Sequence, residues 1–217
     1  VATAGFQSEG HAPDSNWKRY IEKPGSAHEP YRESVDFWNR YKEDIALAAG
    51  LGVNTFRLSI EWARVMPKRG QIDEEALEQY DEIFAELEAR HLTPMVTLVH
   101  FVMPGWVMDE GGLASESVVD AFGEFTRVVA QRYRGRGAMW ITLNEPSYFV
   151  LLEDREAGWN GEQLRAARRN VIAMHLRAYA ILHSVDAGAP VAINVVWLPP
   201  PVSLGEDWCF DAIKKHI

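Results

Sequence analysis

Two hydrophobic periods alternate along this chain. Four short runs are apolar at nearly every position and rich in β-branched or aromatic residues: 53–60 (VNTFRLSI), 94–100 (PMVTLVH), 138–144 (AMWITLN) and 191–197 (VAINVVW). Runs of this kind predict parallel strands buried on both faces. A weaker fifth run, 1–7 (VATAGFQ), opens the chain. Between the runs, apolar residues recur three and four apart, which predicts helices with one buried face. Trp38, Tyr41, Ile45 and Ala48 share such a face within 34–51, and Gly52 can end that helix. Leu77, Tyr80, Phe84 and Leu87 do so within 73–90, where Asp73 is placed to cap the first turn. The same period runs through Val118, Phe122, Phe125 and Val129 in 115–133, and through Leu164, Val171, Met174, Ala178 and Leu182 in 162–186.

Strand and helix in alternation mean βαβ units and a parallel sheet. Two α/β architectures fit, a doubly wound open sheet and a (β/α)8 barrel of the TIM type. A dinucleotide fold wants its glycine-rich turn directly after the first strand. The nearest candidate, Gly50-Leu51-Gly52, precedes a strand, and Thr55 stands at the third glycine position. In a barrel, chemistry collects at the C-terminal ends of the strands. Polar residues fall there: Gln7, Glu61, His100, and Asn144 with Glu145, while Asn194 lies inside its run.

Composition narrows the function classes. With 47% hydrophobic residues in 217, the chain can bury a core, and residues 1–217 read as one domain. The lone cysteine, Cys209, excludes an internal disulfide and a cysteine metal cage. No H-E-x-x-H pair occurs, so neither a metal nor a cofactor is expected. A net charge of −9 argues against nucleic acid or an anionic membrane as partner. No apolar run approaches the ~20 residues of a membrane span, and no basic–apolar leader opens the chain. A cytoplasmic location is therefore expected, although Val rather than Met stands first.

The most informative stretch is Thr142-Leu143-Asn144-Glu145-Pro146. A carboxyl group at a strand end, flanked by an amide and closed by proline, is placed to face a polar substrate. Glycoside cleavage needs a carboxylic acid to protonate the leaving oxygen, and a second carboxylate. Plainer readings stand beside this one. Glu145 could be a solvated loop carboxylate, Arg57 a structural ion-pair partner of Glu61, and His100 a satisfied strand-end histidine. Of the tryptophans, Trp106 is expected to lie nearest the site.

Taken in order, these motifs resemble glycoside hydrolase family 1, the β-glucosidase-type retaining enzymes. Residues 1–10 (VATAGFQSEG) are similar to that family's first strand and FQ-x-EG motif. Residues 40–44 (RYKED) and 56–67 (FRLSIEWARVMP) are similar to the following helix and second strand. Residues 96–107 (VTLVHFVMPGWV) are similar to the third, and 142–146 is the family's TLNEP. The resemblance implies that Glu145 is the general acid/base, that Asn144 holds the sugar 2-hydroxyl, and that Gln7 and His100 bind glycone hydroxyls. It implies that Arg57 sits beside the nucleophile and keeps it ionised, and that Asn194 lines the pocket. The substrate implied is a small-molecule β-glycoside. Departures fall on the aglycone side: Phe101 and Ser147 stand where tryptophan is common, and 153–162 is short and polar where a longer Gly/Pro-rich loop is usual.

The family's nucleophile is a Glu in a Thr-Glu-Asn-Gly-like motif, and no such motif occurs in these 217 residues. Five of eight βα units are expected, so the resemblance implies a complementary C-terminal polypeptide as partner and an isolated chain that is inactive. The alternatives are a non-catalytic sugar-binding half-barrel and another barrel hydrolase that shares Asn-Glu-Pro.

Overall fold

The computed structural model describes residues 1–136, 138–196 and 212–213. The helical elements are α1 (Gly5–Ser8), α2 (Asn16–Glu22), α3 (Phe37–Gly50), α4 (Trp62–Val65), α5 (Glu74–Ala89), α6 (Gly105–Asp109), α7 (Ser117–Arg132), α8 (Pro146–Ala157) and α9 (Gly161–Val185), with a 3₁₀ turn at Gly112–Ala114. Among the described residues the strands are β1 (Thr55–Ser59), β2 (Thr93–Val99), β3 (Met139–Asn144) and β4 (Val191–Asn194). They pair in parallel in the order β1-β2-β3-β4. The sequential parallel sheet expected from the runs is thus present. Trp197, the proline patch 199–201, Cys209 and most of the final segment 207–217 lie outside the described residues.

The run 1–7 departs from expectation. Only its start behaves as a strand: Arg57 N–H donates to Val1 O at 2.9 Å and Thr3 N–H to Arg57 O at 2.8 Å, a parallel bridge centred on Ala2. The chain then turns into α1, because Gly5 N–H donates to Ser59 Oγ and its backbone lies against Glu61. A Cβ at Gly5 would stand 2.9 Å from Glu61 Oε2, so glycine is what permits this approach. Gln7 therefore sits on a helical turn rather than at a strand end.

Helices α5, α7 and α9 cover one face of the sheet with the side chains the periodicity singled out. Leu77, Tyr80, Phe84 and Leu87 are buried, as are Val118, Phe122, Phe125 and Val129. Trp62 stacks on Phe125 with centroids 5.6 Å apart, and Phe84 on Tyr133 at 4.2 Å. Asp73 caps α5 by accepting from Ala76 N–H at 3.0 Å. Asn160 and Gln163 close a capping box at the start of α9. Along β1, Phe56 and Leu58 face the helices while Arg57 and Ser59 face the opposite side, as strand alternation requires.

Candidate active site

Arg57 organises the face away from the helices. Its Nε donates to Thr97 Oγ1 on β2 at 2.9 Å, and its Nη2 to Asn144 Oδ1 at the end of β3 at 2.7 Å. Asn194 Nδ2 on β4 donates to the same Asn144 oxygen at 2.7 Å. One polar row thus spans four strands. Arg57 is accordingly not the ion-pair partner of Glu61. Strict alternation would aim Asn144 to the side of Thr142, whose Oγ1 meets His175 Nδ1 of α9 at 2.7 Å. The β3–β4 register breaks between Ile141 and Asn144, and Asn144 reaches Arg57 instead. An irregularity of this kind re-aims a side chain at a sheet edge.

Glu145 follows as the N-cap of α8, half-buried, with φ 45° and ψ 58°. Its N–H donates to Asn194 O at 2.7 Å and its carbonyl accepts from Phe149 N–H at 2.8 Å. A left-handed conformation at a non-glycine residue stores ~1–3 kcal/mol and persists only when its surroundings hold it. Pro146 follows at the start of α8, where its fixed φ suits the first helical turn. The Glu145 charge bears on Arg57, whose guanidinium is otherwise pushed down by burial.

Gln7 and His100 line one recess of about 300 Å³ with Phe6, Trp17, Tyr31 and Phe101. Burial, and then the charge of Arg57, push the His100 imidazole down to about 4. It is neutral at pH 7 and so keeps both a donor and an acceptor nitrogen. Trp106 is not the tryptophan of this recess. Its Nε1 donates to Met66 O at 2.8 Å and its ring meets Trp62 edge-on, while Trp17 lines the recess instead.

Glu61 is buried beside a second carboxyl group, Glu9 of the FQ-x-EG motif. Arg64 Nε pairs with Glu9 Oε2 at 2.7 Å and stacks over Trp38, and Tyr80 OH donates to Glu9 Oε1 at 2.7 Å. Burial, then the charge of Glu9, push Glu61 up to about 8, against backbone hydrogen bonds from Ala63 and Phe6. Two carboxyl groups share one cation, so Glu61 keeps its proton at neutral pH. Through Phe6 it anchors the turn that carries Gln7. Among the described residues no cluster of three or more His, Cys, Asp or Glu is placed to hold a metal, and no helix is long and apolar enough to cross a membrane.

Comparison with known proteins places this arrangement. The Glycosyl hydrolase family 1 model matches residues 1–197. β-Glucosidase A of Thermotoga maritima is 31% identical over 95% of this chain and 50% of its own length. A phospho-cellobiase of Klebsiella oxytoca is 40% identical over 84% of this chain and 41% of its own. The solved family 1 β-glucosidase from Thermotoga maritima superimposes with a TM-score of 0.83 at 30% identity, over 89% of this chain and 47% of that one. The chain spans about half the length of the curated relatives it matches, and its parallel sheet is part of a (β/α)8 barrel. With the family model running from the first residue through the fourth strand, the chain belongs to glycosyl hydrolase family 1.

Proposed function

We propose that these 217 residues supply the acid/base half of a retaining β-glycosidase site acting on terminal β-linked sugars. One observation carries the reading: Glu145 leaves β3 at the end of the Arg57–Asn144–Asn194 row. Glu145 gives its proton to the leaving oxygen and then, as a base, takes one from water. Asn144 holds the sugar 2-hydroxyl beside the scissile bond. Gln7 and neutral His100 bind hydroxyls of the glycone in the recess they share. Arg57 is the fixed positive charge, and an opposite charge within a few ångströms favours an ionised carboxylate. Asn194 restrains Asn144.

Retention needs a second carboxylate ~5–5.5 Å from the first, across the anomeric carbon. Glu61 does not fill that place, being buried against Glu9, Arg64 and Tyr80. The nucleophile comes from a complementary C-terminal part of the barrel, without which this chain does not turn over. β4 pairs with β3 alone among the described strands, leaving an edge on which further strands can add.

The test replaces Glu145 by Ala in an active assembly of the complete barrel. Substrates with good leaving groups should still react at the first step, and azide should restore turnover. Equal loss on activated and unactivated glycosides, without azide rescue, would remove Glu145 from the acid/base role.

A further inference from the structure

Glu153 opens the short polar stretch 153–162, where the sequence predicts a loop. It lies instead within α8 and is fully buried. Its Oε1 accepts from Asn16 Nδ2 at 2.8 Å and its Oε2 from Tyr20 OH at 2.8 Å. Both partners come from α2, more than 130 residues away. No ion pair reaches Glu153 among the described residues. The nearby cation, Lys23 at the C-cap of α2, is paired with Glu156 at the surface. The groups facing Glu153 are thus the Asn16 amide and the Tyr20 phenol, with Glu156 on its own helix as the nearest like charge.

Asn16 passes this contact on. The same Nδ2 donates to Phe101 O at 2.9 Å, its Oδ1 accepts from Met103 N–H at 2.9 Å, and its N–H donates to Met103 O at 3.1 Å. Counted with the bond to Glu153, the side chain uses both amide protons and its carbonyl oxygen, and Asn16 clamps both ends of the turn that follows His100. That turn holds Phe101 at φ 68°, an expensive conformation for an aromatic residue. The Phe101 ring packs edge-on against His100, 5.1 Å away, and against Tyr148 and Phe149 in the first turn of α8. One buried carboxyl group therefore ties together α2, the turn that follows His100 and the helix that follows Glu145.

We propose that Glu153 is a positioning residue: through Asn16 it sets the backbone after His100, and with it the aspect that His100 and Phe101 present to the recess. The consequence for sugar binding rests on the role of His100 proposed above; the coupling itself does not. The ionised carboxylate accepts from both partners, which is the arrangement seen. A protonated one must donate, and Asn16 Nδ2 offers no acceptor. The Tyr20 oxygen could accept only by turning its own proton toward Met108 Sδ, 4.0 Å away. Protonation thus reverses one hydrogen bond and strips the charge assistance from the other. Burial pushes Glu153 up to about 7, so the exchange falls in the neutral range.

The test is a pH titration of the 217-residue chain by NMR, following the Glu153 carboxyl carbon and the Phe101 and Met103 amides. All three should titrate together near pH 7, well away from His100 and His175 at about 4. Glu153→Gln should abolish the amide titration. Tyr20→Phe, which removes a donor to the charged form, should raise the common midpoint by about half to one pH unit. Amides that still titrate in Glu153→Gln, or stay flat while the wild-type carboxyl titrates, would overturn the proposal. Should Glu153→Gln fail to fold, an unmoved midpoint in Tyr20→Phe would do the same. No turnover is read, so failure of this coupling and failure of the Glu145 assignment are separate results.

Discussion

Replacing Arg57 by Met keeps the apolar stem of the side chain and deletes its charge and its donors. The first consequence is electrostatic. His100 is held at about 4 against an ordinary 6.5, a depression of about 2.5 with two causes, burial and then the charge of Arg57. Burial is the larger and survives the substitution. His100 should therefore rise by less than half of the depression, to a midpoint between about 4 and 5.2. The second consequence is structural. Thr97 Oγ1, fully buried, loses its donor, whereas Asn144 Oδ1 keeps Asn194 Nδ2. Stranding a buried hydroxyl and losing charged hydrogen bonds costs about 2–4 kcal/mol. The pH dependence has a definite sign. With a depressed midpoint, the unfolded chain binds more protons than the folded one between pH 6.5 and 4. Stability from His100 is complete above 6.5 and drains away as pH falls through that window, and Arg57→Met should narrow the window from below. Imidazole titration by NMR, together with urea unfolding at pH 7 and pH 5, reads both effects. A His100 midpoint that stays put, falls, or returns fully to 6.5 would refute the reasoning.

Other expectations follow from the same geometry. Glu61→Gln replaces a carboxyl group pushed up to about 8. Its proton is bound more tightly folded than unfolded, so wild-type stability declines as pH rises from about 4.5 through 8, and urea midpoints of the variant should show a flatter decline. Asn160→Ala opens the capping box of α9 and should cost about 1 kcal/mol in urea unfolding at every pH. Phe122→Ala deletes a fully buried ring packed on Trp62 and Phe125 and should cost about 3–5 kcal/mol by the same assay.

Elements that depend on local pattern were legible in the sequence. The run 94–100 became β2, 73–90 became α5 with the cap at Asp73, and 162–186 became α9 to within a residue at each end. Of the polar residues expected at strand ends, Asn144 meets Asn194, and Arg57 from the middle of β1 reaches the same Asn144 oxygen. Features set by distant partners were not legible. Gln7 left the strand because Ser59 and Glu61, more than fifty residues away, hold Gly5 and Phe6. Glu153 looked like solvated loop because its partners lie in α2, a helix too short for the hydrophobic period to reveal. Asn144 reached Arg57 through a register break that alternation cannot anticipate. Trp17 could have been noticed only by its nearness in sequence to the FQ-x-EG motif.

The central claim is that this chain holds the acid/base of a glycosidase and not its nucleophile. The direct measurement is an assay of the purified 217-residue chain, its mass confirmed, with an aryl β-glucoside, alone and after addition of the C-terminal half of a family 1 barrel. We expect no sustained turnover from the chain alone, and turnover on complementation that is lost in Glu145→Gln. Sustained turnover by the chain alone, abolished by Glu145→Gln with no second polypeptide present, would contradict it.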